Sequence, residues 1–229
     1  MNWGRVMKKV VRILLLLQFV FVFACSSEGS LSFDRSRSQE KASLYSRSQL
    51  VIPDGEDPGL FLYRNKLFSR VVVDFYTRIT GSREIALPII EYSDKYDIPL
   101  SLAFALAWVE SRYNPRAVNR NHGSVDRGLF QLNSKTFRFL SRKDFFNPRI
   151  NAKYGIAHLR FCLNTGKDEI VGLAMYNAGT IGVKKGTPLS TLRYVSKIIK
   201  YKEHLDRLFK QEVLGEGKYV LDLRASDDS

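Results

Sequence analysis

The chain has 229 residues, 45% of them hydrophobic and 12% aromatic, enough apolar surface for a core, which excludes a disordered or collagen-like polymer. Its 36 basic side chains against 23 acidic ones give a net charge of +13, a balance that favours an anionic partner, whether nucleic acid, lipid headgroups or an anionic wall polymer. The two cysteines, Cys25 and Cys162, supply no disulfide framework.

At the N-terminus Arg5, Lys8, Lys9 and Arg12 stand ahead of the apolar run "ILLLLQFVFVFA". A positive region followed by a short apolar run is an export signal, and this run falls short of the roughly 20 residues that a spanning helix needs. Export argues against nucleic acid as the partner, and without the four signal cations 32 basic residues still face 23 acidic ones. Ala24, Cys25, Ser26 and Ser27 resemble the lipobox of bacterial lipoproteins, with Phe23 departing from the small residue usual at its position. That resemblance implies acylation of Cys25 and a lipid anchor in a membrane. The absence of aspartate at Ser26 favours the periplasmic face of the outer membrane.

From Ser26 to about Gly59 the sequence is polar and closes with "IPDGEDPG", a flexible tether by composition. Leu67, Val71, Phe75 and Ile79 then recur every fourth residue before Gly81, which predicts a helix with a glycine stop. "REIALPIIEYSDKYD" reads as a second helix, interrupted or started by Pro88, and "PLSLAFALAWVESRY" as a third that opens on Pro99. A helix apolar on nearly every face is central in its domain. Residues 114–128 read as a loop. "NSKTFRFL", "NAKYGIAHLRFCLNTG", "DEIVGLAMYNAG" and "TLRYVSKIIKYKEHLDRLFKQEV" all carry helical spacing, with Asn133 as an N-cap type and Gly166 and Gly179 as helix ends. No run of strands and no internal repeat stands out. The expected organisation is a signal peptide at 1–24, a lipidated N-terminus and tether at 25–62, one mostly α domain at 63–212, and a polar tail at 213–229.

Glu110 closes the apolar third helix. A carboxylate at the rim of a buried segment has its charged form disfavoured, which suits a general acid that must hold a proton near neutral pH. His122, His158 and His204 are too dispersed for a metal cluster, and Asn119, Asn121 and Asp126 lack the glutamate of a calcium loop, so neither a metal nor another cofactor is expected. Cys162 reads as a buried structural thiol.

Three segments in order, "ESRYNPRAV", "GSVDRGLFQLNSKTF" and "AMYNAG", resemble the lytic transglycosylases of the soluble type over roughly residues 84–182. The resemblance implies a lysozyme-like helical domain with a glycan cleft, acting on peptidoglycan glycan strands as a monomer. It implies that Glu110 is the acid and base that cleaves the β-1,4 bond after N-acetylmuramic acid and closes a 1,6-anhydro ring. It makes Ser124, Gly128, Phe130, Gln131, Asn133, Tyr176 and Asn177 substrate-binding residues, with Tyr176 bonded to the catalytic glutamate. The middle segment resembles more closely that of animal-type lysozymes and of the transglycosylases that accompany secretion systems, and it adds Asp126, either a second catalytic carboxylate of the retaining kind or a side chain that bonds the turn at Gly123 and Ser124. Two rival readings stand beside this one: a hydrolytic lysozyme using Glu110 and Asp126, and a peptidoglycan-binding lipoprotein without activity.

Overall fold

The computed structural model describes residues 51–215. The signal peptide at 1–24, the acylation position Cys25, most of the tether and the tail from 216 onward lie outside the described residues. The order of elements is α1 (Pro58–Arg64), α2 (Ser69–Thr80), α3 (Arg83–Tyr96), α4 (Leu100–Ser111), β1 (Val118–Asn121), β2 (Ser124–Arg127), β3 (Leu132–Asn133), α5 (Arg142–Phe146), α6 (Pro148–Gly166), α7 (Glu169–Lys185) and α8 (Leu189–Phe209), closed by a π-helical turn (Lys210–Leu214). The expected mostly α architecture is present.

The domain begins earlier than its sequence suggests. Asp57 accepts a hydrogen bond from the Leu60 amide and Pro58 occupies the first helical position, where its missing N–H and fixed φ suit a helix start. Leu60 and Leu62 are buried, so α1 takes the last residues assigned to the tether into the core. At the other end Val213 and Leu214 are buried as well, moving the domain limit past 212.

Helix α2 stops where expected, with Gly81 in the left-handed region at φ 73°, which glycine enters without a Cβ penalty. Its inward stripe is displaced from the expected one: Val72, Val73, Phe75 and Tyr76 are buried while Leu67 and Val71 are exposed. The reason is the ring of Tyr76, which stacks on Phe104 at 4.0 Å between centroids and turns that face toward α4. Pro88 lies inside α3 without ending it.

Helix α4 is the centre of the molecule. Its residues from Leu100 to Ala107 are all buried, and α8 packs along it. Each large side chain among them contributes roughly 1.5–3 kcal/mol by leaving water. Arg112 and Tyr113 at φ 55° and 60° turn the chain sharply out of the helix.

The expected loop at 114–128 contains structure. The strands β1 and β2 pair antiparallel across a two-residue turn at His122–Gly123, with Asn119 opposite Asp126, and β3 adds Asn133 opposite Asp126 on the other edge. These strands are short, polar and exposed or half-buried, so they lack the apolar alternation by which strands are read. The "NSKTFRFL" segment, expected to be helical, forms turns instead. Asn133 does cap a turn, its side chain accepting from the Lys135 amide at 2.9 Å, but no helix follows. Helix α5 starts at Arg142, two residues past the end of that segment, at a capping box made by Ser141 and Asp144, in which each side chain satisfies the other's free backbone donor. Gly166 is the last residue of α6. Gly179 breaks α7 internally at φ 72°, ψ 158° instead of ending it.

Candidate active site

Glu110 leaves the last turn of α4 half-buried, with α8 beside it. Desolvation raises its carboxyl from the ordinary 4.5 to about 7, and the charge of Asp126 pushes the same way. Against these acts one hydrogen bond, from the hydroxyl of Tyr194 on α8 to Glu110 Oε1. A carboxylic acid in this state is populated in both forms near neutrality, the condition for giving a proton and then taking one back. Tyr194 itself is held well above its ordinary pKa by burial and by the Glu110 charge, so it remains a donor.

The structure corrects the role expected of Tyr176. Its hydroxyl donates to the Phe130 carbonyl at 2.9 Å, and the tyrosine bonded to Glu110 is Tyr194. Tyr176 still lies close enough for the Glu110 charge to raise its pKa, after burial as the larger cause. Asn177 is exposed, and its side-chain oxygen accepts from Thr191 Oγ1 at 2.8 Å, which fastens α7 to the start of α8 and leaves the amide nitrogen without a protein partner among the described residues.

Asp126 is placed on β2 and both its oxygens are engaged. Asn121 donates to one at 2.5 Å and Asn133 to the other at 2.7 Å, while Asn119 donates to Asn121 at 3.1 Å. Asn133 also donates to Ser124 Oγ at 3.0 Å. Asn119 and Asn121 therefore form a chain of amides that ends on one oxygen of the carboxylate whose charge reaches Glu110, and Asn133 holds the other oxygen. Among the described residues Asp126 makes no hydrogen bond to the Gly123–Ser124 turn itself; the contact with Ser124 Oγ is made by Asn133.

The Gly128 to Gln131 turn is built around a buried side chain absent from the sequence-derived set. Asn151 on α6 is fully buried; its oxygen accepts from the Phe130 amide at 2.8 Å, and its nitrogen donates to the carbonyls of Arg127 at 3.0 Å and Phe145 at 2.8 Å. One amide thus ties the turn, α5 and α6 together. Gly128 has φ 79°, and a Cβ there would lie 2.2 Å from both the Phe145 carbonyl and the Asn151 nitrogen, so its glycine is a packing requirement. Phe130 is buried with its ring against Gly155, where an added Cβ would come within 2.4 Å. It belongs to the core and not to a sugar face. Gln131 adopts φ 44°, a conformation that is unfavourable by roughly 1–2 kcal/mol for a residue with a Cβ. Its amide nitrogen donates to the carbonyls of Ala117 at 3.2 Å and Gly128 at 2.9 Å, which aims the side-chain oxygen and leaves that oxygen as the group open to a ligand.

Cys162 is buried, and burial pushes its thiol up to about 11, in keeping with a structural role. Tyr194 and Asn151 are what sequence reasoning passed over, and Asn121, weighed there only as part of a calcium loop, is a hydrogen-bond partner of Asp126. Asn151 resembles an ordinary polar surface position until its partners are known. Tyr194 sits in a lysine-rich helix with no motif around it.

Residues 88–189 match the family model described as the transglycosylase SLT domain. That segment includes Glu110, Asp126, Gln131 and Tyr176 and ends before Tyr194. Over 101 residues the chain is 38% identical to Protein IpgF of Shigella flexneri, and to the same degree to Protein IpgF of Shigella sonnei. Each alignment covers 40% of this chain and 65% of the relative, so the chain spans just under two thirds of the length of the curated relatives it matches. No solved structure matches the chain.

Proposed function

We propose that the chain, whose residues 88–189 match the transglycosylase SLT domain, is a lytic transglycosylase that cleaves the β-1,4 bond between N-acetylmuramic acid and N-acetylglucosamine in peptidoglycan. The observation that carries this reading is Glu110, a half-buried carboxyl raised to about 7 and oriented by Tyr194. In its protonated form Glu110 gives its proton to the glycosidic oxygen as the bond to the muramyl anomeric carbon breaks. Positive charge develops on that carbon, and the nearby charge of Asp126 stabilises it. The muramyl 6-hydroxyl then attacks the same carbon and its proton passes to Glu110. This closes a 1,6-anhydro ring and restores the acid. No water is consumed. Gln131 Oε1 and the Asn177 amide are the groups positioned to hold the glycan.

A second reading is favoured by one observation, the action of the Asp126 charge on Glu110. With water in place of the 6-hydroxyl the same pair would perform hydrolysis. The two outcomes differ in product mass. Sacculi digested with the purified full chain are expected to yield muramyl ends one water lighter than hydrolysed ends. Ends at the hydrolysed mass would replace the transglycosylase reading with a lysozyme, and no soluble fragments at all would remove both. Glu110→Gln is expected to lower the rate roughly a hundredfold to ten-thousandfold, the span of general acid–base catalysis.

Export and acylation at Cys25 complete the proposal and place the enzyme in the periplasm, anchored by lipid, with the outer membrane favoured. The amino-acid pattern around Cys25 supports this, and labelled fatty acid should appear on the parent chain and not on Cys25→Ser.

A further inference from the structure

Beside the Gly128 to Gln131 turn lies an open pocket of about 580 Å³ lined by Arg116, Lys143, Phe146 and Asn147, within the volume range of small-ligand sites. We propose that this pocket docks an acidic peptide, and that on the peptidoglycan reading above, on which the identity of the ligand rests, the peptide is the carboxylate-bearing stem of the wall strand.

The charge in the pocket is uncompensated. Arg116 and Lys143 are exposed and neither forms an ion pair among the described residues. The contrast is a neighbouring cavity of about 450 Å³ that shares Asn147. There Arg149 is held at 2.7 Å by Glu91 and Arg83 stands 4.0 Å from Asp74, and the lining includes Glu84, Leu87 and Pro88. One end of the groove is cationic, and the other is balanced in charge and partly apolar. A free inorganic anion would use only the first end. An extended ligand with carboxylates followed by apolar side chains uses both, with charge-assisted bonds at Arg116 and Lys143 and apolar contact with the half-buried Phe146 of the same lining.

The pocket is also tied to the cleavage site. Arg116 precedes Ala117, whose carbonyl accepts from the Gly128 amide at 2.9 Å and from Gln131 at 3.2 Å. Lys143 and Phe146 sit on α5, which Asn151 fastens to the same turn through the Phe145 carbonyl. Both walls are thus held to the segment that presents Gln131. A strand bound at Gln131 would lie against the same tied segment that carries the pocket's walls.

The test is a titration of the full chain with a synthetic stem peptide bearing two free carboxylates, and with the same peptide amidated at both. Saturable binding of the acidic peptide is expected, weakened tenfold or more by amidation and by the double variant Arg116→Ala, Lys143→Ala, with the melting temperature of the variant close to the parent's. Absence of binding by the parent, equal binding of the amidated peptide, or displacement of the acidic peptide by an equal concentration of inorganic phosphate would each overturn the proposal. No turnover is needed for this measurement. Digestion of sacculi by the parent reports separately on the transglycosylase reading, and the amidation arm decides even where the double variant fails to fold.

Discussion

Glu110→Gln should make the protein more stable at pH 8 while removing its activity. In the folded chain the Glu110 carboxyl is raised from 4.5 to about 7, so the native state binds a proton that the unfolded state releases at lower pH. The stability contributed by that proton is fully present below pH 4.5 and is lost as pH rises through 7. A shift of about 2.5 units at roughly 1.36 kcal/mol per unit amounts to about 3 kcal/mol. The solvent-facing part of the side chain lowers the expectation to on the order of 2 kcal/mol. Glutamine resembles the neutral acid, keeps an oxygen to accept from Tyr194, and does not titrate. Urea denaturation of parent and variant at intervals from pH 5 to pH 8 should show a stability difference that opens with pH. At pH 8 it corresponds to about 4–8 °C in melting temperature for a domain of this size. All other titrating groups are shared and cancel. A difference that stays constant over this interval, or a variant less stable at pH 8, would refute the argument that burial holds the Glu110 proton.

Tyr194→Phe removes the one group that favours the ionised form of Glu110. The alkaline limb of the pH–rate profile should move upward by one to two units, about the worth of a hydrogen bond to a charged group; an unmoved limb with a lowered rate would make Tyr194 structural only. Asn151→Leu removes the side-chain partner of the buried Phe130 amide and of the Arg127 and Phe145 carbonyls. It should destabilise by about 3–5 kcal/mol, measured by chemical denaturation, and a loss below about 1 kcal/mol would contradict the knot described for that residue. Gly128→Ala sets a Cβ 2.2 Å from the Phe145 carbonyl at a positive φ. Circular dichroism melting should show a loss exceeding that of an exposed glycine substitution such as Gly186→Ala, where nothing lies within 4 Å.

Much of the scaffold is legible in the sequence because α4, α6 and α8 carry sustained helical patterns and each starts at or directly after a proline, Pro99, Pro148 and Pro188. Glu110 is legible for a related reason, since an unbroken apolar run into a carboxylate is unusual. The sheet is not, because its strands carry asparagine and arginine on open faces, and what defines them is backbone pairing with no apolar pattern. Phe137 and Leu140 imitate helical spacing in a segment of turns, where Phe137 is buried and Leu140 packs half-buried against the core. The partner of Glu110 is hidden for a different reason. Tyr194 is 84 positions away, and the pairing depends on how α8 lies along α4, which no local pattern encodes. Asn151 likewise acts through backbone groups 6 to 24 positions away, and backbone groups have no sequence signature.

The bond from the Phe130 amide to Asn151 also decides how the protein can come apart. Most surface turns open on their own many times for each global unfolding, and their amide protons exchange with solvent at a rate set by that local event. Here the amide next to Gln131 is shut inside the core by a side chain that also grips α5. The turn that presents Gln131 therefore has no private way to open. Its exchange rate should follow that of the central helix, and loss of the site and loss of the fold become one event.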